Sequence, residues 1–564
     1  MKYSLQSARV ILGHACLLLA WIIPDQVPPW STYYHELLMV IGVLILAPLR
    51  HLEVFPWRIL VLMILWMVCI LLQMPLHDLP RDDIAFGLIF AVLFGVVAQQ
   101  GAQATSAGSG IQSLAYSIRS WYGVILVAAS LSSIIGLAQW ARLDLGLWMT
   151  ESAGRAYANF GQPNHFATLL VMAVAALLYF DGRGALNRLV VMALGVLLCC
   201  ALAVSESRTG ALSLALLCLL VMVFGRRAGL AHTLQWLLPC FFLFLVTYIN
   251  LDRIAPLVGG TALRTGVGLS PTGRFELWSQ MLWSVGQQPW AGFGWLHLGS
   301  IHFAAASVFS SIQNVDHAHN IFLDLMIWFG MPLAGALVIG AGIWCVSIAI
   351  PAMGSKISKN SLCYVAVILP IAVHSMLEYP YAYLYFSLTL GFFAGALEAE
   401  VRGAMGFSEN AKKIYLYSFF SVVVVCILIA VEYSAVEIDY RSLRLENQFF
   451  TRDEERHTYH ASPRFLTQYG KLIASQRNDA HAPEESLSPE VAYEMAKRFP
   501  WLSTHLHYYL TLIQQGRCQE AAEQWKVYEV LFGPFGLLTA QGQIEKRGLQ
   551  TACPASRPAV SGHE

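Results

Sequence analysis

The chain has 564 residues, of which 57% are hydrophobic and only 12% are charged. Soluble domains carry about a quarter charged residues, so this composition excludes an ordinary soluble protein and indicates a membrane protein. The formal net charge is zero at pH 7, which gives no electrostatic basis for binding nucleic acid.

Apolar segments recur along most of the chain at the length of about 20 residues that a membrane-spanning helix needs. The first, Val10–Ile23, lacks a small-residue cleavage site, so we interpret it as a retained helix and not as a signal peptide. The predicted fold class is all-α, a polytopic integral membrane protein with about 13 transmembrane helices. The predicted spans lie near residues 8–24, 36–49, 57–74, 83–101, 121–140, 165–180, 188–204, 209–225, 232–250, 320–350, 361–378, 382–399 and 414–433.

Lysine and arginine are distributed asymmetrically over the short loops between these spans. One side carries fourteen of them and the other side only four, namely Arg81, Arg142, Arg155 and Arg208. Because positively charged loops stay in the cytoplasm, the N-terminus is predicted to be cytoplasmic. The 251–318 loop and the region after residue 433 are then extracytoplasmic. One miscounted helix is the alternative, and a miscount after the large loop would reverse only the tail.

Two domains are predicted, a transmembrane domain over residues 1–433 and a helical domain over residues 434–564. The second is charged and aromatic, and two amphipathic segments flank Gly516. This pattern is typical of a tetratricopeptide-type hairpin and equally of a generic helical cap. The sequence leaves open whether Cys518 and Cys553, both in this tail, form a disulfide. It shows no cysteine or histidine spacing typical of a zinc site.

Few ionisable side chains interrupt the predicted spans. Arg208, Asp324 and Glu378 lie near predicted outer ends, and His374 lies deeper. Transporters place their substrate and ion sites near the middle of the membrane, so this distribution argues against a transporter. It favours a site at the outer membrane surface.

Four polar stretches stand out at this predicted outer surface, and each taken alone is more typical of a turn or a helix cap than of a site. Within and after them lie six segments, RAYANFGQPNHFA from Arg155, SRTGAL from Ser207, TGRFELW from Thr272, PWAGFG from Pro289, HAHNIFLDLMIWFGMPLAG from His317 and EYPYAY from Glu378. Together, in this order, they resemble the O-antigen ligase/polymerase superfamily over roughly residues 140–400. The first is most similar to bacterial protein O-oligosaccharyltransferases of the PglL type.

The resemblance implies a glycosyltransferase of the bacterial inner membrane, with the 251–318 loop and the tail in the periplasm. It implies transfer of a preassembled oligosaccharide from undecaprenyl pyrophosphate to Ser or Thr hydroxyls of exported proteins such as pilin. Its partners would be the lipid-linked oligosaccharide, the acceptor protein and the bilayer. We expect no cofactor and no metal. Direct displacement of the pyrophosphate would invert the anomeric centre.

The donor pyrophosphate needs cationic partners, and arginine offers a planar fork of donors that stays protonated. Arg208 and Arg274 are the first candidates and Arg155 is the third. Arg274 is predicted in the first turn of a helix capped by Thr272, where backbone N–H groups would also face an anion.

The acceptor hydroxyl needs a general base, and His319, directly before Asn320, is the candidate catalytic residue. It is predicted at the N-terminus of the 320–350 helix, whose dipole disfavours the imidazolium form, whereas Asp316 nearby would act the other way. His317 is assigned to positioning. Through the resemblance, Gln162 and Tyr379 are expected to bind the sugar or the phosphates.

Three rival functions remain open on the sequence. An O-antigen ligase or a polymerase would use the same chemistry with a lipid-linked sugar as acceptor. The helical tail suits a protein partner, which argues against a plain ligase but not against a polymerase. A lipid-linked glycan transporter would need a hydrophilic path, which the nearly charge-free spans do not provide.

Overall fold

The structure of the protein is a computed structural model that describes residues 2–49, 56–106, 118–152, 154–260, 271–354, 357–403, 406, 408–448, 463–477, 488–546 and 553. Within these ranges every regular element is a helix and none is a strand, which confirms the all-α class. In chain order the α-helices are α1 (Lys2–Ile22), α2 (Tyr33–Leu46), α3 (Trp57–Gln73), α4 (Arg81–Ser106), α5 (Ile118–Trp140), α6 (Pro163–Asp181), α7 (Arg188–Val204), α8 (Arg208–Phe224), α9 (Leu234–Ile249), α10 (Leu251–Ile254), α11 (Pro271–Gln287), α12 (Ser300–Ala305), α13 (Ile321–Trp344), α14 (Ile350–Ala352), α15 (Lys359–Ser375), α16 (Leu384–Arg402), α17 (Glu409–Gln448), α18 (Thr467–Arg477), α19 (Pro489–Arg498), α20 (Leu502–Gln514) and α21 (Cys518–Lys546).

Each of the predicted spans overlaps one of these helices. Among the described residues, seven helices are long and apolar enough to cross a membrane, judged by length and composition, and five shorter helices are also apolar. The chain is therefore a polytopic helical membrane protein. The number of thirteen spans and their orientation stay predictions.

The centre of the helix bundle is α6. Nearly every residue from Asn164 to Phe180 is buried, because α5, α7, α8 and α15 pack around it. A helix that is apolar on all sides is suited to such a buried position. Its N-terminus, which carries the Gly161–Asn164 segment, is thereby fixed at one end of the bundle.

The PWAGFG segment packs against a break in α13. Gly330 adopts φ +71 there, so the helix is interrupted just before Pro332. Phe293 N–H donates to the carbonyl of Ile327 at 2.7 Å, and Met331 N–H donates to the carbonyl of Pro289 at 2.7 Å. The backbone groups freed by the break are satisfied by the loop, as buried backbone requires.

The tail is held against the same end of the bundle as the large loop. Arg498 binds the carboxylate of Asp83 with two nitrogens, at 2.8–3.1 Å, and Asp83 lies in the first turn of α4. Asp82 accepts from Gln468 N–H at 2.9 Å at the start of α18. Trp295 of the large loop donates to the Asp83 carbonyl at 3.0 Å. The loop, the tail and the start of α4 therefore lie on one side.

The predicted helical hairpin of the tail is confirmed by α20 and α21, which are joined at Gly516 with φ +68. Cys518 and Cys553, whose pairing the sequence left open, form a disulfide. Helix α17 runs without a break through residue 433, so the proposed division into two domains falls inside a helix. That division stays a prediction.

An unpaired histidine lies between the large loop and the tail. His302 of α12 is fully buried, both of its ring nitrogens lack a hydrogen-bond partner in the described part of the chain, and its ring lies 6.5 Å from that of His505. Burial lowers the pKa of His302 to about 4 from a usual value of 6.5. Protonation therefore favours the unfolded chain as the pH falls below about 6.5.

We expect the protein to lose stability at the contact between loop and tail as the pH falls. His302→Leu should reduce that loss of stability. A pKa that falls from 6.5 to about 4 on folding removes about 2 kcal/mol of stability between pH 7.5 and pH 5. Thermal unfolding in detergent at both pH values measures it. An equal fall in Tm for the variant and the wild type would contradict this role for His302.

Candidate active site

One carboxylate joins four of the segments that carry the sequence resemblance. Glu378, only 5% exposed, lies between α15 and the short 3-10 helix Pro380–Ala382. Arg274 Nη2 lies 2.7 Å from its Oε1, and Asn164 Nδ2 lies 3.2 Å from the same oxygen. His319 Nδ1 lies 2.6 Å from Oε2, and Gln162 Nε2 lies 3.4 Å from it. We call these five residues the Glu378 cluster.

The GQPN segment enters the cluster through the N-terminus of α6. Gln162 is the N-cap, and its side-chain oxygen accepts from His165 N–H at 3.2 Å. Pro163 follows at the first helical position, where its fixed φ suits a helix and its missing N–H costs nothing. The amide nitrogen of Gln162 is thereby directed to Glu378.

Asn164 connects the cluster to the start of α8. Its side-chain oxygen accepts from Ser207 Oγ at 2.6 Å, and Ser207 is the N-cap of α8. Arg208 is therefore the first residue of α8, and it is exposed. Arg155 donates to the carbonyls of Ser205 at 3.0 Å and of Glu206 at 3.1 Å, which fixes this turn.

Arg155 and Arg208 place two cations at this end of α8, beside the carboxylate of Glu206. Burial lowers the pKa of Arg155, and the charge of Arg208 adds to that effect while Glu206, Tyr248 and Glu378 oppose it. Two neighbouring cations at a helix N-terminus favour an anion between them. The charge pattern suits a phosphate group.

Arg274 lies in the first turn of α11. The helix begins at Pro271, so the predicted N-cap at Thr272 is wrong, because proline is preferred at the first helical position. The residues before Pro271 lie outside the described ranges. Arg274 Nη2 binds Glu378, whereas its Nε is buried without a partner among the described residues. That nitrogen can donate to a bound substrate.

The HAHN segment is shaped by two side chains. Asn320 is the N-cap of α13 and accepts from Phe322 N–H at 3.0 Å. Asp324 accepts from Ala318 N–H at 2.6 Å, contacts His317 Nδ1 at 2.8 Å and accepts from the Tyr381 hydroxyl. His319, held between these fixed points, adopts the left-handed value φ +53, which is uncommon for a residue other than glycine and frequent at functional sites.

Tyr379 separates the two histidines. Its ring stacks on His317 with the centroids 4.5 Å apart and meets His319 edge-on at 5.0 Å. His317 is thus fixed by Asp324 and Tyr379, and its role in positioning stays a prediction. Tyr379 forms a wall of the site next to His319.

The charge of Glu378 determines the protonation pattern of the cluster. Burial alone would raise its pKa, but the interaction with His319 and the charges of His374 and Arg274 together lower it to about 2. An ionised carboxylate can only accept, so the hydrogen at the His319 contact belongs to Nδ1. The tautomer is inferred from this contact. Neutral His319 then has its lone pair on Nε2, which has no hydrogen-bond partner among the described residues.

The dipole of α13, which disfavours the imidazolium form of His319, is therefore not the only charge that acts on the ring. His319 does precede the helix, but it meets a carboxylate that stabilises the imidazolium form. This arrangement suits a general base, because the ring must hold the proton that it removes.

The sequence prediction missed the roles of two members of the cluster. Glu378 was noted only as a charged residue near an outer end, and Asn164 was read only as part of the GQPN segment. The position of Glu378 directly before Tyr379, in the EYPYAY segment, was the available signal for its role in the site. Of the predicted site residues, His319, Arg274 and Gln162 contact Glu378, and Tyr379 adjoins them. Arg208 and Arg155 lie at the adjacent turn.

Family comparisons match the segments that build this site. An O-antigen ligase family matches residues 193–338, and a protein glycosylation ligase family matches residues 156–180. A third family, described as virulence factor membrane-bound polymerase, C-terminal, matches residues 362–534. The matched ranges therefore include every member of the Glu378 cluster.

Two curated proteins of Acinetobacter baylyi are similar over most of the chain. The ComP-specific O-oligosaccharyltransferase is 26% identical over 438 residues, which are 73% of this chain and 74% of that protein. The general O-oligosaccharyltransferase is 26% identical over 415 residues, 69% of this chain and 70% of that protein. The similarity runs beyond the short motifs and supports a glycosyltransferase activity. These matches confirm the resemblance of the chain to the O-antigen ligase superfamily and, within it, to the PglL-type protein O-oligosaccharyltransferases.

Proposed function

We propose that this protein transfers a preassembled oligosaccharide from undecaprenyl pyrophosphate to Ser or Thr hydroxyls of exported proteins such as pilin. The reaction takes place at the periplasmic face of the inner membrane. One observation carries the proposal: Glu378 contacts both Arg274, which can bind an anion, and His319, which can accept a proton. The groups needed on the leaving side and on the attacking side of a glycosyl transfer are thereby held by one carboxylate.

In this mechanism the pyrophosphate of the donor lies against Arg274 and Arg208, with Arg155 supporting the turn that carries Arg208. The leaving group gains negative charge as its bond to the anomeric carbon breaks, and preorganised cations stabilise that change. Gln162 and Tyr379 line the sugar side. No step in this mechanism requires a metal or a cofactor.

His319 Nε2 takes the proton of the acceptor hydroxyl as the new carbon–oxygen bond forms. The imidazolium that results is stabilised by Glu378, which stays ionised because its pKa is about 2. Undecaprenyl pyrophosphate leaves as an anion, and the configuration at the anomeric carbon inverts. The proton leaves His319 for solvent after the products separate.

The decisive experiment uses the purified protein in detergent with purified lipid-linked oligosaccharide and a candidate acceptor protein. The expected result is a gain in acceptor mass equal to one oligosaccharide, located on a Ser or Thr. Transfer only to a lipid-linked sugar would identify a ligase or polymerase instead, as the family matches to both keep open. Donor binding without any transfer would favour a transporter.

The arginines are expected to require their guanidinium shape. Lysine at position 274 has one ammonium head and cannot contact Glu378 and a pyrophosphate together, so Arg274→Lys should lose most transfer activity although the charge is kept. Arg208→Lys should do the same. Arg253→Lys, an exposed position in the same large loop, is the matched control. Full activity of both test variants would remove the arginine clamp from the mechanism.

The proposed orientation is tested with reporter fusions. Because the loop, the tail and the start of α4 share one end of the bundle, fusions after Val315 and after Asp439 should report the same compartment, the periplasm. A fusion after Lys359 should report the cytoplasm. A cytoplasmic signal after Asp439 would contradict the proposed topology.

A further inference from the structure

A cavity of about 430 Å³ lies between the large loop and the tail. No member of the Glu378 cluster lines it. One wall consists of three aromatic rings, Phe303 of α12, Tyr493 of α19 and Tyr508 of α20. The ring centroids of Phe303 and Tyr493 are 4.8 Å apart, and those of Tyr493 and Tyr508 are 5.4 Å apart. The rings are inclined to one another, by 71° for the first pair and 44° for the second, and they offer an aromatic surface to an elongated side chain.

The opposite wall is acidic. It contains Glu490, Glu520 and Glu523 together with Arg517. The guanidinium of Arg517 contacts Glu490 at 2.6 Å and Glu520 at 2.6 Å. Glu523 has no hydrogen bond or ion pair within the described ranges. Among the lining residues, three carboxylates against one guanidinium leave two negative charges. Lys497, beside the ring of Tyr493, is paired with Glu494 at 2.6 Å, so the cavity still attracts cations.

A buried acceptor atom completes the cavity. Gln524 lines it and is 3% exposed, and its Oε1 has no hydrogen-bond partner among the described residues. Its Nε2 donates a hydrogen bond to the carbonyl of His505 at 3.2 Å, which fixes the orientation of the amide. A buried carbonyl oxygen without a partner is costly unless a ligand supplies an N–H or O–H. The cavity therefore lacks a donor as well as a cation.

We propose that this cavity binds a lysine or arginine side chain of the acceptor polypeptide. The aliphatic stem packs on the three rings, and the cationic head pairs with Glu523 and donates to Gln524. Tyrosine faces attract cations, and Lys497 Nζ already lies 4.5 Å from the ring centroid of Tyr493. The identification of this polypeptide as the glycosylation acceptor rests on the proposed function.

The position of the cavity fits this role. Val527, which lines it, packs in the same hydrophobic core as Ala318, the residue between His317 and His319. A polypeptide held there rests on the structure that supports the catalytic histidine. Recognition at a distance from the reacting hydroxyl would select acceptors that share a basic residue beside the glycosylated segment.

Direct binding tests the proposal without requiring transfer. Full-length protein in detergent is titrated against short fluorescent peptides that are identical except for carrying lysine, glutamine or glutamate. The lysine peptide should bind tightest, and added salt should weaken it. Glu523→Lys should weaken its binding by about tenfold, since an attraction becomes a repulsion. Glu529→Lys, on the same helix and exposed but outside the cavity, should leave binding unchanged.

Equal binding of the three peptides, or equal losses in Glu523→Lys and Glu529→Lys, would overturn the proposal. In the transfer assay, Glu523→Lys should raise the KM for a basic acceptor and leave the KM for the lipid-linked donor unchanged. A raised donor KM would instead identify a glycan site and also overturn it. A wild-type protein that binds the lysine peptide and transfers no glycan would refute the proposed function but not the proposed binding of a basic side chain in this cavity.

Discussion

His319→Ala is expected to abolish most transfer while leaving the lipid-linked donor bound. General bases typically contribute a factor of 10² to 10⁴ in rate. The lone pair on His319 Nε2 has no hydrogen-bond partner among the described residues. The pyrophosphate is assigned to arginines, so removing the imidazole should not weaken donor binding. The measurements are initial rates with purified lipid-linked oligosaccharide and acceptor protein, and donor binding to the same preparation.

His317→Ala is the matched control, because it removes the neighbouring imidazole of the same segment. His317 contacts Asp324 and stacks on Tyr379, so its loss should disturb the position of the site and reduce the rate less than the loss of a proton acceptor. Wild-type transfer by His319→Ala would exclude His319 as the base. Loss of donor binding would assign it to the phosphate site.

The helices were predictable because the membrane fixes their length. A span needs about 20 apolar residues whatever it packs against, so the apolar segments located the spans without any knowledge of neighbours. Helix starts were also marked by side chains with local roles. Ser207 and Asn320 cap α8 and α13 through hydrogen bonds to residues two or three positions away, although the only cap predicted from the sequence, Thr272, was wrong.

The centre of the site was not predictable, because its contacts span long distances in sequence. Glu378 meets Gln162, Arg274 and His319, and only the packing of α6, α11 and α13 brings these residues together. The sequence shows that a carboxylate ends a span, but it does not show which cations surround it. For the same reason the dipole of α13, a local feature, was predicted, whereas the carboxylate that opposes its effect on His319 was missed.

The tail shows the same difference between local and distant features. The hairpin at Gly516 follows from two adjacent amphipathic segments, and the structure confirms it. Its attachment through Asp83 and Arg498 joins residues more than four hundred positions apart. The sequence places Asp82 and Asp83 at the boundary of a span and indicates no role for them. In the structure they hold the tail.

Glu378→Gln is expected to reduce transfer about as strongly as His319→Ala, by a factor of about 10² to 10⁴. The amide keeps the size of the side chain but not its charge, so it no longer stabilises the imidazolium or holds Arg274. It can also offer N–H to His319 Nδ1, which would favour the tautomer without a lone pair on Nε2. The rate and the donor affinity, measured separately, distinguish these effects. The control is Glu378→Asp, which keeps the charge and should recover part of the rate.

The acid behaviour of Glu378 provides an independent check on its ion pairs. Its pKa is about 2 in the folded protein against 4.5 for an ordinary glutamate, so it stabilises the fold above about pH 4.5. That contribution is lost progressively as the pH falls from about 4.5 to about 2. At pH 7 Glu378→Gln should therefore lower Tm, with an upper limit of about 3 kcal/mol on the lost stability. His319→Ala leaves Arg274 beside Glu378, and Arg274→Lys keeps a cation at position 274, so each of them should lower Tm less. A fully active and equally stable Glu378→Gln variant would show that His319 and Arg274 work without this carboxylate.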